Sequence, residues 1–236
     1  MNVSRLNHHT ITDTTLVDRL MGFAEIEPED TVLEIGAGEG AITAELVKYA
    51  RKVIAFEKDQ RMRVFLDDLV DSNPNLTVKY QSALVKKLPK FNVCVSNIPF
   101  NITEPLIQLL YKSRFRSSTL IVGNRFAKAA SSSEEVYSLL AAYARSVFHI
   151  TYDCKVESSC FTPEPSTDAA IITLQPKKES SMDFESFMFS KLYRDRNQTL
   201  VHCLKRAVAN YAFSRNQGAS VSVDQFFFAS GLGEDL

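Results

Sequence analysis

A chain of 236 residues, 45% hydrophobic and 23% charged, is long enough for one large α/β domain and a small appendage, with the composition of an ordinary globular protein. A net charge of −1 excludes a uniformly basic trap for nucleic acid. No apolar run reaches the roughly 20 residues needed to cross a bilayer, and Met1–Thr10 lacks the apolar core of a secretory leader, so no membrane association and a cytoplasmic location are expected.

In chain order, short apolar runs at Thr31–Ile35, Lys52–Phe56, Thr77–Tyr80, Phe91–Ser96 and Thr119–Val122 read as buried strands. Between them, Ala41–Tyr49, Gln60–Val70, Glu104–Tyr111 and Glu134–Arg145 space their apolar residues as helices do. Such alternation predicts right-handed crossovers and a parallel sheet covered on both faces. Val147–Cys154 and Ala169–Leu174 have no long helix between them and predict an antiparallel hairpin that closes the sheet. The polar stretch Gln175–Ser181 marks a boundary, giving a catalytic domain over 1–176 and a small basic helical domain over 177–236, with Phe184–Tyr211 helical.

The strongest local feature is Val32-Leu33-Glu34-Ile35-Gly36-Ala37-Gly38-Glu39-Gly40, a buried strand that runs into a glycine turn and then a helix. Glycine lets the backbone bend sharply and approach a ligand with no Cβ in the way. The spacing is G-x-G-x-G, not the dinucleotide G-x-G-x-x-G. Glu34 and Glu39 would also repel a phosphate, so a cationic, phosphate-free cofactor suits the turn. The second strand ends at Glu57, where a carboxylate reaches the ribose hydroxyls of a nucleoside.

After the fourth strand comes Asn97-Ile98-Pro99-Phe100, which resembles the (Asn/Asp)-Pro/Ile-Pro-(Tyr/Phe) motif of amino-methyltransferases, and the resemblance implies attack by an exocyclic amine such as that of adenine. The exocyclic nitrogen of adenine is a poor nucleophile because its lone pair is delocalised into the ring. Hydrogen bonds accepted from that amine by the Asn97 side-chain oxygen and the Ile98 carbonyl favour rehybridisation, Pro99 stiffens the turn, and Phe100 stacks on an extruded base.

The two elements together resemble the site of class I S-adenosylmethionine methyltransferases, a Rossmann-like fold with a seven-stranded, mostly parallel sheet. Most of the chain resembles the ribosomal RNA adenine dimethyltransferase family. The matching segments, in order, are Leu16-Val17-Asp18-Arg19-Leu20, the glycine turn, Asn97 to Pro105, and Phe161-Thr162-Pro163-Glu164-Pro165-Ser166-Thr167-Asp168. Arg194 to Leu200 resembles a basic helix of the family's C-terminal domain. The small-subunit branch fits best.

The resemblance implies S-adenosylmethionine as cofactor, held by His9, Ile11, Glu34, Gly36, Ala37, Gly38, Gly40, Glu57, Lys58, Ser82, Ala83 and Asn97. It implies a target-base pocket of Phe100, Asn101, Phe161, Pro163 and Pro165. The implied reaction is dimethylation of two adjacent adenosines near the 3′ end of small-subunit rRNA, by a monomer acting on an assembly intermediate. The basic residues Lys112, Arg114, Arg116, Arg125, Arg194, Arg196, Lys205 and Arg206 are expected to meet RNA phosphates, or else to be solvated helix faces. Lys128, Lys191 and Arg215 extend these basic clusters.

The chain departs from the family at several places, with Gly123-Asn124-Arg125 where the family has Gln-Lys-Glu and with a short C-terminal domain. His8-His9-Thr10-Ile11 replaces Gln-x-Phe-Leu, and Ser82 replaces an Asp that bonds the cofactor's adenine amine. These departures motivate a second reading, a ribosome-assembly factor with the fold and little catalysis. A methylase of large-subunit rRNA or DNA is a third. His8 and His9 either border the cofactor cleft or belong to an N-terminal arm, and with the scattered Cys94, Cys154, Cys160 and Cys203 they give no metal-ligand spacing.

Overall fold

The computed structural model describes residues 9–84, 87–132, 138–178 and 182–214. Its elements run β1 (Thr10–Ile11), α1 (Thr14–Ala24), β2 (Thr31–Ile35), α2 (Ala41–Tyr49), β3 (Lys52–Phe56), α3 (Arg63–Ser72), β4 (Leu76–Lys79), β5 (Val93–Asn97), α4 (Thr103–Tyr111), β6 (Ser117–Gly123), α5 (Asn124–Ser131), α6 (Leu139–Val147), β7 (Phe148–Val156), β8 (Phe161–Thr162), β9 (Ala169–Pro176), α7 (Phe184–Arg194) and α8 (Leu200–Ser214). Short 3-10 turns at Gln60–Met62 and Phe100–Ile102 lead into α3 and α4. No helix among the described residues is long and apolar enough to cross a membrane.

The main sheet has seven strands in the order β4-β3-β2-β5-β6-β9-β7. β2 pairs in parallel with β3 and β5, β3 with β4, and β5 with β6, while β9 is antiparallel to β6. The expected mostly parallel α/β sheet is therefore present. The two expected closing strands are neighbours, with β9 antiparallel to β6 and β7 beyond it at the sheet edge. Val32, Leu33, Val53, Ile54, Val93, Val95, Leu120 and Ile121 are all buried, the continuous apolar strands that helices on both faces require. Leu16 and Leu20 of α1, Leu46 of α2 and Leu66 of α3 join that core.

The chain divides into two compact units, one within Met1–Ala141 and Ile150–Pro176, the other within Ala142–His149 and Lys177–Leu236. In the second, Tyr143 stacks on Tyr193 at 4.3 Å between ring centroids. Met188, Ala207 and Val208 pack between α7 and α8, where Tyr211 meets Phe187 edge-on. The segment 184–211, expected to be helical, is seen as two helices, α7 and α8. Asp195 accepts from Gln198 N–H and caps the end of α7, so Arg194 to Leu200 forms the turn between two helices. The predicted helix over 134–145 is seen as α6, beginning at Leu139, and its 134–137 part lies outside the described residues, as do His8 and Arg215. α5 was not legible, because its sequence offers mainly small and polar residues.

Candidate active site

The strand order reverses between β2 and β5, and the carboxyl ends of those neighbours frame a cleft of about 140 Å³. Crevices at such a switch point are where open α/β sheets hold ligands. One wall is the turn after β2. Gly36, Gly38 and Gly40 have φ of 80°, 56° and 89°, the left-handed region that favours glycine. Gly36 and Ala37 N–H both donate to the Phe56 carbonyl, at 2.8 and 3.1 Å, locking the turn onto β3.

Glu57, at the end of β3, is buried and lines the cleft. Its carboxylate accepts from Gly38 N–H at 2.9 Å through one oxygen and from Asp59 N–H at 2.7 Å through the other. Each oxygen keeps a further lone pair for a ligand. Gln81, Ser82, Ala83 and Leu84, beyond β4, continue the lining. The Ser82 hydroxyl oxygen accepts from Leu84 N–H at 3.1 Å, so it shapes its own turn first.

On the other side stands Asn97, the last residue of β5. Its Nδ2 donates to the His9 carbonyl at 3.1 Å. That bond orients the amide and leaves Oδ1 without a partner among the described residues. Ile98 N–H donates to the Ile121 carbonyl at 3.3 Å, fixing the turn against β6. Phe100 follows, backed by Gly123, whose added Cβ would touch its ring at 3.8 Å.

A two-stranded ladder, unannounced by the sequence, completes the cleft. β1 pairs antiparallel with β8, Thr10 opposite Thr162 and Ile11 opposite Phe161. Thr12 N–H donates to the Cys160 carbonyl, and His9 Nδ1 lies 2.7 Å from the Pro163 carbonyl oxygen. This ladder brings His9, Thr10, Ile11, Phe161 and Pro165 to the cleft.

Of the residues singled out for the site, His9, Ile11, Gly36, Ala37, Gly38, Glu57, Lys58, Ser82, Ala83, Asn97, Ile98, Pro99, Phe100, Phe161 and Pro165 line one cleft. Four others are not among its lining. Gly40 faces Leu66 and Leu69 instead, and an added Cβ would meet Leu69 Cδ1 at 2.6 Å. Glu34 is buried behind the turn, where Oε2 accepts from Thr43 Oγ1 at 2.6 Å and Oε1 has no partner. Its burial pushes the carboxyl up to about 8, with the nearby Glu57 charge adding and the Thr43 bond opposing. Asn101 and Pro163 are exposed, and Pro163 contributes its carbonyl to His9 rather than a wall. Ile35, Ile42, Phe56, Glu39 and Ile102 line the cleft without having been assigned to it. Their neighbours in sequence were the available signal.

The basic residues divide by engagement. Lys112, Arg114 and Arg125 are exposed on the first unit. Arg116, also exposed, is engaged: its guanidinium grips the buried carboxylate of Asp30 at 3.1 and 2.7 Å, and also donates to the Glu25 carbonyl. It ties the α1–β2 connection to β6. In the second unit Arg194, Arg196, Lys205 and Arg206 are exposed. Arg196 lies over the Tyr193 ring at 4.3 Å, and Arg206 pairs with Asp195 at 3.3 Å.

Comparison with known proteins agrees with this architecture. A dimethyladenosine transferase from Plasmodium falciparum superposes with a TM-score of 0.72 at 30% identity, over 95% of this chain and 88% of that one. The ribosomal RNA small subunit methyltransferase A of Thermotoga maritima is 30% identical over 200 residues, 83% of this chain and 71% of the relative. A probable ribosomal RNA small subunit methyltransferase A from Methanococcus aeolicus is 32% identical over 203 residues, 82% and 75% respectively. The family model described as ribosomal RNA adenine dimethylase matches residues 2–222, and the chain belongs to that family.

Proposed function

We propose that this chain transfers methyl groups from S-adenosylmethionine to the N6 amine of adenine in small-subunit ribosomal RNA, dimethylating two adjacent adenosines near its 3′ end. The observation that carries this reading is the state of Asn97. Its NH₂ is engaged by the His9 carbonyl, so Oδ1 is left as an acceptor on a side chain that lines the cleft.

The lining suits the cofactor. Glu39 and Glu57 outweigh the single Lys58 among its charged residues, an environment for a cation and hostile to a phosphate. Glu57 offers paired acceptors for two ribose hydroxyls, and Ile35, Ile42, Phe56 and Ala83 supply apolar contact. Lys58, Ser82 and Ile11 line the same cleft. When bound, the cofactor supplies an electrophilic methyl group on a sulfonium.

The rest is done by the chain. Phe100, with Phe161 and Pro165, holds an extruded base. Asn97 Oδ1 and the Ile98 carbonyl accept from its amine, which draws the lone pair out of the ring and aims it. Pro99, at φ −56°, stiffens the turn that presents both acceptors. Alignment is the main contribution, since attack needs the nitrogen in line with the leaving sulfur.

The catalytic domain is assigned to 1–176 and the small basic domain to 177–236. Lys112, Arg114, Arg125, Arg194, Arg196, Lys205 and Arg206 are assigned to RNA phosphates, with the monomer acting in the cytoplasm on a subunit assembly intermediate. The test is incubation with methyl-labelled S-adenosylmethionine and unmodified small subunits, followed by nucleoside mass spectrometry. Labelled N6,N6-dimethyladenosine, lost in Asn97→Ala, is the expected result. Subunit binding without label would favour an assembly factor instead, and label only on large-subunit rRNA or DNA would move the substrate.

A further inference from the structure

The loop that joins β7 to β9, residues 157–168, is held at both ends by its last residue. Asp168 Oδ1 accepts from Ser158 N–H at 3.3 Å, where the loop leaves β7, and Oδ2 meets Lys155 Nζ of β7 at 2.8 Å. The Asp168 backbone carbonyl accepts from Asn124 N–H at 3.0 Å, at the first residue of α5. Asn124 Oδ1 in turn accepts from the Tyr152 hydroxyl of β7 at 2.9 Å. The Lys155 ammonium beside Asp168 holds its carboxyl below the usual carboxylate range, so the clip stays charged near neutral pH.

Phe161 and Pro165 are carried by this loop; both are buried and both line the cleft. Within the loop, Ser158 Oγ donates to Glu164 Oε1 at 2.5 Å. On the far side of the Asp168 carbonyl, Asn124 directly follows Gly123, the residue that backs the Phe100 ring. Asp168 therefore ties the loop bearing Phe161 and Pro165 to the residue next to the support of Phe100. A lone exposed ion pair contributes little. Asp168 is more than that, because its three oxygens each hold a different piece of chain: β7, the turn that follows it, and the start of α5. Asp168 itself is not among the residues that line the cleft.

We propose that Asp168 is a positioning residue for the target base, fixing the Phe161 and Pro165 wall of the pocket relative to Phe100. This rests on the reading of the cleft as an adenine-N6 methylase site in which those three side chains hold the base. Transfer needs N6 in line with the sulfonium, and a base between walls that shift spends less time in that line. Loosening the clip therefore slows each transfer, even where cofactor and RNA are both bound. A nitrogen that accepts two methyl groups must also be realigned after the first. A loosely held base leaves the pocket before the second transfer, so the product shifts from dimethylated to monomethylated adenine.

The experiment compares wild type, Asp168→Ala and Asp168→Asn in methyl transfer to unmodified small subunits, with S-adenosylmethionine and subunit both saturating so that neither affinity enters the rate. Calorimetric titration with S-adenosylhomocysteine counts the folded sites, and each rate is expressed per site. Nucleoside mass spectrometry gives the ratio of monomethylated to dimethylated adenosine at equal total methyl incorporated. Asp168→Ala should be slower per site by about tenfold or more and should release a larger monomethylated share. Asp168→Asn keeps an acceptor for Ser158 N–H and the backbone bond to Asn124, so it should recover part of both. A wild-type rate per site and product ratio in Asp168→Ala would overturn the assignment. So would a loss confined to the number of folded sites, which would make Asp168 a stability residue only. If wild type itself labels no adenine in small-subunit, large-subunit or DNA substrates, the adenine-methylase reading fails first and this one with it.

Discussion

The Asn97 side-chain amide donates to the backbone carbonyl of His9 at 3.1 Å, linking the end of a central parallel strand to a residue 88 positions earlier in the chain. With its NH₂ turned to that carbonyl, Asn97 presents Oδ1 as the acceptor for an incoming amine. Its orientation therefore depends on β1 being docked on β8. Asn97→Ala removes the acceptor and the tie together. Methyl transfer should fall by about a hundredfold to a thousandfold, the usual cost of one preorganised polar contact to a reacting group. A variant that still methylates at the normal rate would remove Asn97 from the reaction.

Glu57 joins the two halves of the cofactor wall, because one carboxylate holds both Gly38 N–H of the β2 turn and Asp59 N–H after β3. Glu57→Ala orphans those donors and removes the ribose acceptors. Hydrogen bonds to a charged group contribute about 1.5–3 kcal/mol each, so S-adenosylhomocysteine binding should weaken by about tenfold or more and thermal stability should drop. Glu57→Gln keeps one acceptor oxygen and should be intermediate in calorimetry. Equal affinities in all three proteins would place the ribose elsewhere.

The glycines of the turn are not equivalent. Gly38 lines the cleft, has φ +56° and has nothing within 4 Å of an added Cβ, whereas Gly40 has φ +89° and would drive a Cβ into Leu69 Cδ1 at 2.6 Å. Gly38→Ala costs only backbone strain, about 1–2 kcal/mol, and should chiefly reduce cofactor affinity. Gly40→Ala adds crowding against the half-buried Leu69 and the buried Leu66 of α3 to its backbone strain and should lose more stability, about 1–3 kcal/mol in a denaturant melt. The reverse order would mean that the α2–α3 contact gives way easily.

What the sequence disclosed was mostly local. Gly36 to Gly40 and Asn97 to Phe100 carry their geometry in residue type, since glycine and proline restrict the backbone wherever they stand. Glu57 was legible because a strand end fixes which residue reaches the crevice. What stayed hidden depends on partners far away in the chain. The β1–β8 ladder joins residues about 150 positions apart, and a two-residue strand has no periodicity to read. His9 could be placed either in the cleft or in a loose arm until Pro163 was seen to hold its ring. Glu34 was assigned to the cofactor through the family resemblance, but strand alternation sends it behind the glycines to Thr43.

Arg116 shows the same limit in charge patterning. It stands in a basic run with Lys112 and Arg114, yet its guanidinium is committed to Asp30, 86 positions away. Arg116→Ala would leave the buried Asp30 carboxylate without its cation, at a cost of about 1–3 kcal/mol and several degrees in Tm for a chain of this size. Arg114→Ala should leave Tm unchanged and instead lower RNA affinity and the salt dependence of binding. The pair of variants, run through calorimetric melts and filter binding, separates structural from RNA-facing cations. A stable Arg116→Ala protein with weakened RNA binding would restore Arg116 to the patch.

The Glu34 carboxyl gives the fold a pH dependence. Unfolded, it titrates near the ordinary 4.5, and burial raises it to about 8 in the folded chain. Between those values the folded state keeps a proton that the unfolded state has released. The contribution is therefore fully present below about 4.5 and is lost as pH rises towards about 8. Over that window it costs up to about 1.4 kcal/mol per pH unit, on top of whatever other groups contribute. Glu34→Gln keeps an oxygen for Thr43 Oγ1 and cannot ionise, so its stability should fall less steeply with pH and exceed that of wild type near the upper end. Urea melts of both proteins at intervals from about pH 5 to about pH 8 decide it. Parallel curves would mean that Glu34 is already ionised in the fold, with its unpartnered Oε1 reached by a group other than Thr43.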